Sequence, residues 1–496
     1  MKDRKNIIIP LIFLFVPFFT CFVYAHIHGN GLGNIFFPNS KWNDELFYYK
    51  QVETIVKYAY PRGYFGYNEN RAILLSFSDW SPATYLPWAF FGMLFGWSLA
   101  APVVYNIIMM SIALLLFALL VKPDIKKAAI MLVFYCTCTI YARYMLSIMP
   151  ETACQALVII EYAIAINFAD KPSKAKLVWM TVIAFFLVLI RPYMILLLAL
   201  PAFYSFKVFG CRAGVPVCLS GAASMAGYAL FSKYLQAAYF GEFFLTEMLQ
   251  GRGGFGDWFP VVVRMVTDGV TDEYKYIKQF AIDGMAQGGY LLVNFTILAL
   301  LIICCVKPGF NKQYLPIYVI MTVSFVMMSF SVMYDLTDGT KHLLVFIIVG
   351  ILLIAMAEDK YYIKCAIMLA VLLYVFVFGK VDHYEYDLPV RTVEAEKKLS
   401  YWQDIFSEKL ELNYSKIPDF ENNIAWDSEA DYSVMYPLPA GMGISCVQTG
   451  YMYYNFDDLK SRYILTTSDG AIASLCADKH YKKLGEYENA VVYQRY

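Results

Sequence analysis

The residues best suited to chemistry in this chain are a few acids and bases placed beside apolar runs. Asp44 and Glu45 follow Trp42 and Asn43, shortly after the first apolar run, with Tyr48 and Tyr49 one turn on. A carboxylate held close to a membrane surface can deprotonate a hydroxyl or orient it for attack. The alternative is a helix start, with Asn43 as cap and two acids in the first turn. Glu151 follows Pro150 at the end of another apolar run, and Arg143 lies about two turns before it. Glu151 has the same capping alternative. An arginine at the depth of Arg143 is costly without a partner or ligand, unless it snorkels to the surface. Arg191 precedes Pro192 between two apolar runs, where a guanidinium could grip a phosphate with two bonds. Lys341 and His342 open a late apolar run after the turn Tyr334-Asp335-Leu336-Thr337-Asp338-Gly339-Thr340. Lys341 could instead anchor an interface, and His342 could be an internally bonded histidine.

These residues need a membrane scaffold. The chain of 496 residues is 59% hydrophobic and only 16% charged, against about 25% charge in soluble domains. Apolar runs fall near 7–25, 102–121, 128–147, 152–168, 177–190, 193–206, 214–232, 288–306, 314–332, 341–357 and 361–379. Most approach the ~18–20 residues that cross a ~30 Å hydrocarbon core. The first run follows Lys2, Arg4 and Lys5, is too long for a signal h-region and lacks a small-residue cleavage site, so it reads as a retained span. Net charge is zero, which gives no field for nucleic acid.

Basic residues orient the spans, because short cytoplasmic loops hold the excess of lysine and arginine. With the N-terminus inside, the inner segments carry Lys122/Lys126/Lys127, Lys171/Lys174/Lys176, Lys207/Arg212, Lys307/Lys312 and Lys360/Lys364. This agreement requires eleven spans, with 177–206 split at Arg191-Pro192. Segment 83–98 has no place among the spans. It reads as re-entrant or interfacial, flanked by Trp80, Trp88 and Trp97, a residue type that favours headgroups.

The expected fold is an all-α polytopic membrane protein of about eleven transmembrane helices, residues 1–380. It carries large outer loops at 26–101 and 233–287. A small extracytoplasmic α/β domain follows at 381–496, where β-like runs at Tyr463-Ile464-Leu465-Thr466-Thr467 and Ala490-Val491-Val492-Tyr493 alternate with turns. Its Trp402, Tyr436, Tyr451, Tyr453 and Tyr454 could meet a saccharide or form its own core. The 11 cysteines show no metal-ligand spacing. Cys446 and Cys476, in the polar tail, could pair in an oxidising compartment.

All the candidate acids and bases fall on one predicted membrane face. This is the inventory for moving a group from a lipid phosphate: cations on the phosphate, a carboxylate on the acceptor. In order, the motifs resemble the GT-C superfamily of integral membrane glycosyltransferases, which includes protein mannosyltransferases and aminoarabinose transferases. Asp44-Glu45 is similar to the family's acidic motif in the first outer loop. Ser81-Pro82-Ala83-Thr84-Tyr85-Leu86 with Phe95-Gly96 resembles its Pro-rich entry to an apolar segment. Arg143 with Pro150-Glu151 resembles the second acid, and Arg191-Pro192 with Pro201 the later basic-Pro pattern. Lys341-His342 is similar to the late basic pair, though Arg-Tyr or Arg-His is commoner there.

The resemblance covers residues 1–380. It implies an inverting transferase that takes a sugar from a polyprenyl-phosphate donor, on the outer face of the plasma membrane, to a glycan or other envelope acceptor. It implies catalytic roles for Asp44 and Glu151, and substrate contacts for Glu45, Arg143, Arg191, Lys341 and His342. No cofactor is expected, and a lone Glu151 offers no metal cage. The competing readings are a transporter or flippase of lipid-linked glycans, and an O-acyltransferase using His342.

Overall fold

The computed structural model describes residues 2–35, 44–60, 62–63, 65–71, 81–234, 286–306, 312–329, 336–357, 362–379, 390–413 and 420–495, and scattered positions between 260 and 278. Trp42, Asn43 and Trp80 lie outside them, as does most of the 233–287 loop. Nothing is said of the side chains of 2–6, 71, 232–233, 286–288 and 336–341.

The first helix, α1 (Lys2–Ile27), is continuous despite Pro10 and Pro17. It packs on α4 (Ala101–Val121), which packs in turn on α7 (Glu151–Asp170). Between α1 and α4 in the chain lie α2 (Asp44–Tyr58), buried over most of its length, and the short α3 (Leu86–Phe95). At 10 residues, α3 spans only ~15 Å and cannot cross a bilayer. It presents Phe90, Met93, Leu94 and Phe95 outward, as an interfacial segment should. Trp88 does not sit at a headgroup surface. It is fully buried, and its indole N–H donates to Asn106 Oδ1 at 2.8 Å.

The run 128–147 is not one helix. It forms α5 (Ile125–Thr137) and α6 (Ile140–Met145), separated at Cys138 and Thr139. Thr137 turns its hydroxyl back onto Val133 O at 2.6 Å, a bond that competes with regular helix. The split at Arg191-Pro192 is present. Helix α8 (Lys174–Ile190) ends there, and a 3-10 turn (Pro192–Leu198) leads into α9 (Ala199–Phe209). Phe168, at the end of α7, lies 5.2 Å from Tyr204 and 6.2 Å from Phe209 by ring centroids. The chain has therefore reversed and returned to the end of the bundle where α8 began.

Helices α10 (Cys211–Tyr234), α11 (Ala286–Val306), α12 (Leu315–Ser329), α13 (Leu336–Met356) and α14 (Ile363–Leu372, extended to Phe378) complete the bundle. Among the described residues, six helical segments are long and apolar enough to cross a membrane, and four shorter apolar ones accompany them. The protein is an integral membrane protein.

The tail folds as a mixed sheet with helices, and it does not build that sheet alone. Strands β1 (Phe65–Tyr67) and β2 (Asn70–Arg71) come from the segment between α1 and α4. The tail supplies β3 (Asn423–Asp427), β4 (Gly443–Val447), β5 (Tyr463–Thr467), β6 (Lys482–Tyr487) and β7 (Ala490–Gln494). The order is β2-β1-β4-β3-β5-β7-β6, parallel from β1 to β5. The β1–β2 turn uses Asn68 (φ 44°) and Glu69 (φ 62°), the left-handed pair of a tight hairpin. Glu69 is buried and accepts from Lys460 N and Ser461 N, each at 2.7 Å, and from Ser461 Oγ at 2.6 Å. Cys446 on β4 and Cys476 on the tail helix Ala471–Asp478 are both free thiols. Burial holds each up to about 12, so neither is a ready thiolate.

The hold of the tail on α2 is a second tie. Lys50 is 1% exposed and donates to Tyr436 O at 3.1 Å and Leu438 O at 2.5 Å, with Glu53 at 2.5 Å. Tyr58 donates to Ala440 O at 3.0 Å. Lys50→Met should lower stability by about 1.5–3 kcal/mol, the scale for hydrogen bonds made by a charged group. The readouts are a lower unfolding temperature and faster protease cleavage of the tail, and no change in either would remove the clamp.

Candidate active site

Four segments meet at the end of the bundle where the tail sits. Arg191 ends α8 because Pro192 blocks the next helical turn, and Glu151 starts α7 directly after Pro150. Their side chains pair, Arg191 Nη2 to Glu151 Oε1 at 2.5 Å, each 2% exposed. Two positions on, Tyr193 meets His342 from α13, with Oη 2.9 Å from Nδ1 and ring centroids 5.4 Å apart. Tyr193 and Tyr48 of α2 both lie within electrostatic range of Arg191.

The segment after α1 reaches the same place. Glu45 is fully buried and accepts from the backbone N–H of Ile148 at 3.0 Å. Residues 145–149, which carry the chain into Glu151, are also held by Asn106. Its Nδ2 donates to Met145 O at 3.2 Å and Ser147 O at 2.5 Å. Asp44, the first residue of α2, is only partly buried. The tail adds Tyr436, 3% exposed, whose ring lies 5.3 Å from that of Tyr49. Tyr49 is one turn beyond Glu45 on α2. Burial, with Glu45, Tyr432 and Tyr49 around it, holds the Tyr436 phenol well above its usual range.

Six of the seven residues singled out in the sequence have described side chains. Glu151 and Arg191 are in direct contact, and His342 joins them through Tyr193. Glu45 is bonded to the segment leading to Glu151. Arg143, 2% exposed, is on α6, which packs against α1, α4 and α7. Lys341 immediately precedes His342 on α13, but its side chain lies outside the described residues. Of the tail aromatics, Trp402 and Tyr436 are buried, while Tyr451, Tyr453 and Tyr454 are exposed.

Sequence reasoning missed Tyr193, Asn106, Gln155 and Glu161. Asn106, Gln155 and Glu161 are polar residues inside apolar runs, a signal that could have found them. An apolar groove of about 400 Å³ lies between α3, α4, α7 and α8. Leu86, Phe90, Met109, Ala153, Leu157 and Phe186 are among its walls. Its walls on α7 are on the opposite face of that helix from Glu151. Among the described residues, no group of three or more His, Cys, Asp or Glu could hold a metal ion.

No family model and no curated protein matches the sequence. Solved structures do. The chain is similar to ArnT of Cupriavidus metallidurans bound to undecaprenyl phosphate, with TM-score 0.52 and 10% identity over 97% of each chain. It is also similar to the apo oligosaccharyltransferase of Archaeoglobus fulgidus, with TM-score 0.50 and 11% identity, covering 96% of this chain and 73% of that one. Both are GT-C enzymes. At this identity the likeness is one of fold: the chain is a polytopic membrane protein with the GT-C glycosyltransferase fold.

Proposed function

We propose that this protein is an inverting membrane glycosyltransferase. It moves a sugar from a polyprenyl-phosphate donor to a glycan or other envelope acceptor on the outer face. The observation that carries this reading is the convergence of Glu151, Arg191, Tyr193 and His342. Cations gathered in this way suit the head of a lipid phosphate. The fold neighbour ArnT was solved with undecaprenyl phosphate bound.

In this reading, Asp44 takes the acceptor proton, and its partial exposure leaves it reachable. Glu45 and Arg143 support the site, while Arg191, Lys341 and His342 surround the donor phosphate. Glu151 holds Arg191 in place and shares its charge. Tyr436 and the rest of the tail cover the acceptor side.

The test is binding of undecaprenyl phosphate to the purified protein, followed by native mass spectrometry. His342→Ala and Lys341→Ala should each weaken it about ten- to a hundredfold, the scale of one charge-assisted bond. Absence of binding by the unaltered protein would overturn the reading.

The orientation is tested separately. In a cysteine-depleted background, a cysteine placed in the tail should react with an impermeant maleimide in intact cells, and one placed at Lys174 should not. Labelling in the opposite sense would put Asp44 in the cytoplasm and end the proposal.

A further inference from the structure

The tail has a polar pocket of its own. Strands β3 and β5 are parallel neighbours, and β7 runs antiparallel to β5. The starts of β3 and β5 and the end of β7 therefore share one edge of the sheet. A pocket of about 480 Å³ opens there, a volume in the range of small-molecule sites. Its walls include Phe420 and Glu421 before β3, Lys460, Ser461 and Arg462 before β5, and Arg495 after β7. Backbone bonds join the three segments. The Arg462 N–H donates to Phe420 O at 2.9 Å, and the Arg495 N–H to Arg462 O at 2.8 Å. None of these residues belongs to the candidate active site.

Three side chains of the wall are cations, and each lies over an aromatic ring. Lys460 Nζ is 5.4 Å from the ring centre of Phe420, Arg462 Cζ 5.7 Å from that of Tyr463, and Arg495 Cζ 5.7 Å from that of Tyr481. Such contacts hold long side chains in place before a ligand arrives. Arg462 is paired with Glu411. Arg495 commits only Nη1, to the carbonyls of Leu459 and Ser461. Among the described residues, no acid lies within ion-pair distance of Lys460 or Arg495. Charged donors at a pocket wall suit an anion. Glu421 adds a carboxylate, which repels a bare anion but accepts hydrogen bonds from hydroxyls. Phe420 adds an apolar surface. The wall therefore fits a ligand with an anionic group at one end and hydroxyls beside it.

We propose that this pocket binds an acidic saccharide, a sugar carrying a carboxylate or a phosphate. Lys460 and Arg495 take the anionic group, Glu421 accepts from ring hydroxyls, and Phe420 meets the apolar C–H face of the ring. The inference does not depend on the transferase reading, because binding here involves no transfer.

The test is calorimetric titration of the full-length protein in detergent with glucuronate, glucose 6-phosphate, glucose and inorganic phosphate. At least one of the two acidic sugars should bind at least about tenfold more tightly than glucose or inorganic phosphate. Lys460→Gln, at an exposed position, should weaken that binding at least about tenfold, the scale of one hydrogen bond to a charged group. Arg495→Gln should do the same. If Arg495→Gln fails to fold for want of its bonds to Leu459 and Ser461, Lys460→Gln decides alone. His342→Ala should leave the binding unchanged. Four results would each overturn the proposal: neither acidic sugar binds, inorganic phosphate binds as tightly as they do, Lys460→Gln binds normally, or His342→Ala abolishes binding and so moves the ligand to the buried site. The polyprenyl-phosphate measurement above bears on the transferase reading alone, so the two fail separately.

Discussion

Asp44→Asn should reduce transfer at least about a hundredfold, the usual scale for losing acid–base help, while the protein stays folded. The two adjacent carboxylates are separated by their surroundings. Glu45 is fully buried and committed to the Ile148 N–H. Asp44 starts α2 at a partly open position, where an acceptor hydroxyl can reach it. Asparagine has nearly the same shape and still accepts hydrogen bonds, but it cannot take a proton. Losing the favourable charge at the helix start costs about 0.3–1 kcal/mol. Glu45→Gln is the matched control. Its amide oxygen can still accept from Ile148, so it should retain much more activity. Initial rates of the purified variants decide the matter, and near-normal transfer by Asp44→Asn would remove its role as base.

The largest expected effect on stability comes from the Arg191–Glu151 pair. Arg191→Met leaves Glu151 buried without its counter-charge, and breaking such a pair costs about 3–5 kcal/mol. The same holds for Glu151→Ala, which strands Arg191. The double variant Glu151→Gln, Arg191→Met removes both charges and should recover most of the loss. It should not recover transfer, because the phosphate has lost its guanidinium. Heating rates must be matched, since a membrane protein of this size commonly unfolds irreversibly. Full stability in Arg191→Met alone would show that the pair is not formed, and full transfer in the double variant would take Arg191 out of the donor site.

Membrane insertion and the break at Arg191-Pro192 were legible because both are local properties. An apolar run's length fixes whether it can span, and proline disfavours a helical conformation in the residue before it. The strands Tyr463–Thr467 and Ala490–Gln494 were legible for the same reason. The types of the site residues could also be read off, since an acid or base beside an apolar run is costly enough to stand out. The interruption of 128–147 was not legible, because its apolar composition hides a hydroxyl that bonds back to the helix.

Partnerships were decided by the tertiary structure. Glu45 meets Ile148 across 103 positions, and Lys50 meets Tyr436 across 386. No periodicity in either segment encodes such a pairing. Arg191 was expected to wait for a phosphate, yet it is already held by Glu151, because α7 and α8 place those two ends side by side. Strand β1 has three residues, too few for an alternating pattern. It becomes a strand because β4 offers it an edge to pair with. The sequence by itself determined which groups would be expensive to bury. Only the packing of helices and the closing of the sheet decided which groups would share that cost.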